Sequence, residues 1–327
     1  MNRALIAGLA LLLLALSAAS MLAGTVWLSP RTAMAALVDP APGLARMILV
    51  EVRLPRLVLG LLVGGILGLS GAVLQGLLRN PLAEPGLLGV SSGASLGAVI
   101  ALYYGFASSF VLATPLFALA GALLTVAVAL ALSRTGGTLS LILAGVAVST
   151  VAGAGVSLAL NLAPNPYAAY EIMTWLMGSL SDRSWDHVLL AGPFVVVGAG
   201  LLLLTGPALD ALALGERQAA SLGVDLRRLR LLALLGTALG VGAATAVTGA
   251  IGFVGLVAPH CVRPLVGHRP GATLVPAALA GAAIVLAADL ATRVLRLGGD
   301  IKLGVFIAVV GAPFFLSLVV HLRREEG

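Results

Sequence analysis

The chain has 327 residues, of which 60% are hydrophobic and only 10% charged, with mean hydropathy +1.11 and formal net charge +6. That balance excludes an ordinary soluble domain, whose apolar share is ~45–50% and charged share ~25%. It also excludes a nucleic-acid module, because the arginines stand scattered at the ends of apolar runs without aromatic interleaving, the pattern of membrane orientation.

A span needs ~20 mostly apolar residues to cross ~30 Å of hydrocarbon, and such runs follow one another along the chain. Residues 4–28 are read as a first helix with its N-terminus in the cytoplasm; a cleaved secretory signal is the alternative. Residues 29–56, with Pro30, Pro40, Pro42 and Pro55, form an extracytoplasmic stretch. Helix two runs from Pro55 to Leu78 and carries Gln75 into the membrane. A Pro-x-x-x-Pro turn at Pro81–Pro85 breaks it, and a short helix over Ser92–Tyr104 follows. Irregular backbone at membrane depth survives only where protein buries it or a water-filled cavity borders it. The residues alone leave open a pathway element or an ordinary hairpin.

Further spans are expected over Thr114–Leu132, Leu139–Leu162 and Leu189–Leu204, with an interfacial helix at Tyr167–Leu180 carrying Tyr170 and Trp175. Asp210–Arg230 is the most polar section and reads as two short cytoplasmic helices broken at Gly223. Leu231–Thr248, a short return at Gly255–Val266, Thr273–Leu290 and Leu303–Leu322 complete ten crossings with both termini inside. On that topology, arginine and lysine divide 11 inside to 8 outside. Gly60/Gly64/Gly68 and Gly236/Gly240 supply small-residue faces for close helix approach.

Several single residues narrow the chemistry. Cys261 is the lone cysteine, so no intramolecular disulfide forms, and there is no Cys-x-x-Cys. Lys302 is the lone lysine and sits in Gly-Asp-Ile-Lys-Leu-Gly-Val, so the phosphate-binding Gly-x-x-x-x-Gly-Lys-Ser/Thr loop is absent. If ATP powers the process, another polypeptide hydrolyses it. No second ligand lies at usable spacing from His260-Cys261, so neither a metal site nor a cofactor is expected. Asp289 lies in an apolar run, where an acid is functional by default. Pairing with Arg293, four residues on, is preferred to proton coupling.

Blocks along residues 50–320 resemble the permease subunits of type II ABC importers for iron-siderophores, haem and cobalamin. They are Arg53-Leu-Pro-Arg56, Ser70-Gly71, Gln75, Asn80-Pro-Leu-Ala-Glu-Pro85, Leu88-Gly-Val-Ser91, Leu143-Ala-Gly145, Gly215-Glu216 with Leu222-Gly223, Gly249 through His260, and Gly311-Ala-Pro-Phe-Phe315. One departure is Asp300-Ile-Lys302-Leu-Gly304, where many relatives carry Glu-Leu-Pro-x-Gly.

The resemblance implies an all-α, inverted-repeat permease fold in one transmembrane domain over residues 1–327, in the bacterial inner membrane. It implies that Arg53, Arg56 and Arg293 dock a soluble or lipid-anchored substrate-binding protein, with Arg296 a weaker candidate. Gly215, Glu216, Ala219, Leu222 and Gly223 would couple to an ATPase subunit. Asn80 and Leu82, with Thr138 as a looser candidate, would narrow the inner exit, and Ser70, Gln75, Ser91 and Ser92 would line the path or bond neighbouring helices. Two copies of the chain, two ATPase subunits and the binding protein would form the importer. A secondary transporter with Asp289 and Gln75 in its coupling site, and a structural membrane scaffold, are the alternatives.

Overall fold

A computed structural model describes residues 3–24, 26–38, 43–106, 110, 112–133, 138–295 and 301–325. Its helices are α1 (Arg3–Leu22), α2 (Pro30–Val38), α3 (Leu54–Leu77), α4 (Val90–Tyr103), α5 (Ala113–Leu132), α6 (Thr138–Asn161) and α7 (Pro166–Leu176). They continue as α8 (Trp185–Leu203), α9 (Gly206–Leu212), α10 (Glu216–Ser221), α11 (Leu226–Thr248), α12 (Val254–Val262), α13 (Pro270–Leu295) and α14 (Leu303–Glu325). The described residues contain no strand.

Among the described residues, seven helical runs are able by length and composition to cross a bilayer, with α4 and Leu303–Ser317 as shorter apolar helices. The eighth expected crossing, read at Gly255–Val266, is too short to be a full span. Its helix, α12, has 9 residues, which at 1.5 Å per residue reach only about 13 Å. Both short elements, α4 and α12, follow irregular backbone, over residues 78–89 and 249–253.

Two other boundaries differ from expectation. The stretch read as an outer loop holds α2, and the helix that becomes α3 already begins at Leu44 through a π-helical turn at Ile48–Arg53. Proline inside an α-helix clashes with the carbonyl four residues back. The wider turn just before Pro55 moves that carbonyl, so the helix runs on. Likewise α11 begins at Leu226, because the Asp225 carboxylate accepts from the backbone N–H of Arg227 and Arg228 and caps the helix early.

α3 is buried along most of its length, wrapped by α13, α12, α8 and α11. Against α13 the contact is backbone on backbone. A Cβ on Gly64 would collide with Gly281 and Ala282, one on Gly68 with Ala277, and one on Gly281 with Gly64 and Gly68. Close approach of this kind supplies the van der Waals contact that replaces a hydrophobic drive between helices in lipid. The second small-residue face works similarly: Gly236 meets Gly198 and Leu202 of α8, and Gly240 receives Ile66 of α3. Large apolar side chains such as Leu124, Val151 and Val196 face outward from the bundle, an arrangement suited to lipid or a partner rather than to water.

Gly68→Val is expected to destabilise the fold by roughly 1–3 kcal/mol through overpacking. Gly8→Val, with open space around its Cβ, should leave the thermal unfolding midpoint in detergent micelles unchanged. Equal midpoints for the two variants would argue against the close α3–α13 contact.

Candidate functional site

The expected docking arginines converge at one end of α3 and α13, and they face inward. Arg53 is only 5% exposed. Its guanidinium donates to the carbonyls of Met21 and Val26, so it closes the C-terminal end of α1 and does not stand on the surface. The reason is the orphan carbonyls of a helix end, which attract a cation. Arg293 shares the task, donating to the carbonyls of Ser20 and Ala23 at 3.1 Å and to Ser20 Oγ at 2.5 Å.

Asp289, 1% exposed, is held from both sides. Arg56 Nε and Nη2 donate to its Oδ1 at 2.9 and 2.7 Å, and Arg293 Nη2 lies 3.1 Å from Oδ2. The Asp289–Arg293 pair matches its four-residue spacing. Arg56 as a partner was not legible, since it stands 233 residues away. Three arginines against one aspartate leave a surplus of two positive charges in this cluster, and the Arg56 and Arg293 side chains keep 17% and 11% exposure. Arg296 lies outside the described residues.

A further cation at the same end escaped the sequence reading. Arg183, in the loop before α8, has a buried Nε with no hydrogen-bond partner among the described residues. Burial lowers its pKa, while nearby Asp182 acts to raise it. Trp185, two residues on, donates to the Val50 carbonyl at 3.0 Å and ties this loop to the turn before α3.

The break after α3 is a self-bonded turn. Asn80 Oδ1 accepts from Leu82 N at 2.9 Å, and the Asn80 carbonyl accepts from Ala83 N at 3.1 Å. Arg79 takes a left-handed φ of 49° to start the turn. Asn80 and Leu82 are half-buried. Ser70 is fully buried, and its hydroxyl donates to the Leu67 carbonyl of its own helix at 3.1 Å.

Gln75 is also buried, but it borders a cavity of about 840 Å³ together with Asn80. Its Oε1 accepts from Arg263, and its Nε2 faces the carbonyls of Gly255 and Leu256 at 3.4 and 3.5 Å, so it ties α3 to α12. Ser91 borders a separate cavity of about 130 Å³ with Glu84. The Glu84 carboxylate accepts from the Phe253 N–H, joining the two irregular segments. Glu84 stood inside the recognised block, yet nothing in its spacing marked it as a bridge. Ser92 is half-buried, and Thr138 begins α6 with its side chain outside the description.

The polar section folds as a small lever. Gly215 (φ 114°) and Gly223 (φ 84°) bracket α10 in backbone conformations that side chains disfavour. Ala219 is fully buried beneath it, while Leu214 and Leu222 are exposed at its tip. Glu216 pairs with Arg230 at 3.2 Å. The preceding α9 is clamped to the start of α13, where Asp210 accepts from Arg269 and from Gly271 N, both at 2.8 Å. Asp210 therefore grips one end of α13 and Arg56 grips the other through Asp289. Gly271 and Asp289 are 18 residues apart, about 27 Å along a helix.

His260 sits edge-on to Phe314 with ring centroids 5.5 Å apart. Among the described residues, no group of three or more His, Cys, Asp or Glu is placed to hold a metal.

Residues 11–321 match the FecCD transport family. The chain is 40% identical to the Vitamin B12 import system permease protein BtuC of Vibrio cholerae, over 92% of this chain and 89% of that protein. It is 38% identical to the Hemin transport system permease protein HmuU of Yersinia pestis, over 84% of each. A solved structure described as an inward-facing conformation of a metal-chelate type ABC transporter superposes with a TM-score of 0.87 at 32% identity, covering 97% of this chain and 98% of that one.

Asp289→Asn removes the carboxylate shared by two largely buried arginines, a loss of the kind that costs ~3–5 kcal/mol. A marked fall in the thermal midpoint of the micelle-solubilised protein is expected. An unchanged midpoint would show that the pair contributes nothing to holding α3 on α13.

Proposed function

The chain belongs to the FecCD transport family, a family of ABC-transporter permeases, and on that premise we propose that it forms the membrane path of an ATP-driven importer. Its cargo is a bulky iron complex (ferric siderophore or haem) or cobalamin, the class for which its relatives are named. Two copies form the pore. Separate ATPase subunits bind the lever at α9–α10, and a substrate-binding protein docks on the arginine end. The lever faces the cytoplasm, as do both termini, and the arginine end faces outward. The whole of residues 1–327 acts as one permease domain, with residues 210–230 as its coupling segment.

The observation that carries this reading is the lever itself. It presents two exposed leucines at a glycine-bracketed tip, and Asp210 binds it to α13, the helix that reaches the opposite face. A push on α10 is thereby passed to the long helices as rigid-body motion. At the outer face, docking falls to Arg56 and Arg293, whose surplus charge suits a partner's carboxylates, while Arg53 serves α1. Asn80, Leu82 and Thr138 narrow the inner exit, and Ser91 and Ser92 face the path.

The ion-driven alternative loses its coupling site. Asp289 is neutralised by two arginines, and Gln75 is bonded into the α3–α12 contact. Arg56, the partner of Asp289, and Gln75 are 19 residues apart on α3, about 28 Å along the helix.

Proteoliposomes holding the permease with its ATPase and binding protein should accumulate cargo with ATP and not with an ion gradient alone. Gradient-driven accumulation by the lone permease would refute the reading. Asp210→Ala should retain ATP hydrolysis yet lose uptake by about five- to thirtyfold, the effect of ~1–2 kcal/mol of lost coupling. Equal uptake at equal hydrolysis would exclude Asp210 from the linkage.

A further inference from the structure

A cavity of about 840 Å³ lies beside the last turn of α3, between α12, α14 and the start of α13. Its wall holds Arg79, His260, Arg263 and His268, and among the described residues no acidic side chain borders it. Three acids stand three residues from a lining residue, and each is already engaged: Asp210 by Arg269 and the Gly271 N–H, Glu216 by Arg230, and Glu84 by the Phe253 N–H.

The four basic groups are not a random scatter of surface charge. Arg263 is half-buried, and Gln75, anchored on α12 carbonyls, fixes its direction through one guanidinium nitrogen. No other hydrogen bond of that guanidinium is found among the described residues, so further donors of its fork are open. Arg79 and His268 stand at the rim in left-handed backbone conformations, with φ of 49° and 59°, which non-glycine residues adopt only where the surroundings hold them. Charges that merely orient a membrane protein sit on water-exposed loops. Here two guanidinium charges, Arg79 and Arg263, are gathered at one chamber, an arrangement that an anion relieves.

We propose that this chamber is a binding site for a phosphate-class oxyanion, gripped by Arg79 and Arg263 with His260 and His268 around it. The guanidinium fork matches two oxygens of such a group at once, and the volume admits a phosphate together with the group it esterifies. The same chemistry is offered by the headgroup of an anionic phospholipid and by soluble phosphate. The site goes beyond the permease role and does not depend on it, since binding needs neither ATPase nor cargo.

The test uses the full-length chain in nanodiscs. One arm compares phosphatidylglycerol with phosphatidylcholine by counting lipids retained in native mass spectrometry. The other titrates inorganic phosphate in phosphatidylcholine discs by calorimetry. Retention of phosphatidylglycerol identifies the lipid as the source, and phosphate binding alone identifies the soluble anion; either supports the site. Arg79→Gln and Arg263→Gln should each weaken binding by about tenfold, whereas Arg31→Gln, outside the chamber, should not. Arg79 is exposed, so its variant reads the site even if Arg263→Gln fails to fold. No preference for the anionic lipid together with no phosphate binding would overturn the proposal, as would binding that Arg79→Gln leaves intact.

Discussion

The contact on which the structure depends is the backbone-to-backbone packing of α3 on α13. Gly64 and Gly68 face Ala277, Gly281 and Ala282 with no room for a side-chain carbon. Lipid tails are as apolar as leucine, so burial gives two helices little reason to associate in a membrane; dispersion contact across a close approach supplies it. Glycine makes a poor helix former in water, and its concentration along this seam identifies close packing as the constraint it satisfies.

Everything at the two faces hangs on that pair. At one face, Asp289 of α13 is bonded to Arg56 of the α3 run, and Arg53 with Arg293 seals the end of α1 onto the same corner. At the other, Asp210 ties α9 to the first turn of α13, and Gln75 with Arg263 ties α3 to α12. Packed interiors shift between discrete arrangements instead of deforming continuously. A glycine-seamed strut clamped at both ends is therefore suited to carry a displacement from an energy-supplying partner to a cargo-delivering one.

Much of this was legible in the amino-acid order, for physical reasons. Apolar run length set the long helices, because hydrocarbon thickness demands it. The breaks at Pro81–Pro85 and at Gly223 were visible because proline and glycine punctuate backbone locally, whereas the break at Gly215 between α9 and α10 was not marked. Asp289 with Arg293 was visible as an i, i+4 pair. Long-range partners were not. Arg53 reads as a surface cation until α1 is placed beside it, since the carbonyls of Met21 and Val26 carry no sequence signal. The buried Nε of Arg183 and the Glu84 bridge to Phe253 depend on segments brought together only by the fold.

The most direct test of the strut is a pair of spin-label distances in the proposed two-copy importer, with Cys261 replaced by serine. Labels at the exposed positions Leu222 and Val294 of one chain report the length from lever tip to the arginine end of α13, and labels at Leu222 in both copies report the separation of the two levers. With and without ATP, the distance within one chain should stay constant while the distance between copies changes. A shift in the intrachain distance beyond the width of its distribution, with the levers stationary relative to each other, would contradict rigid transmission through α3 and α13.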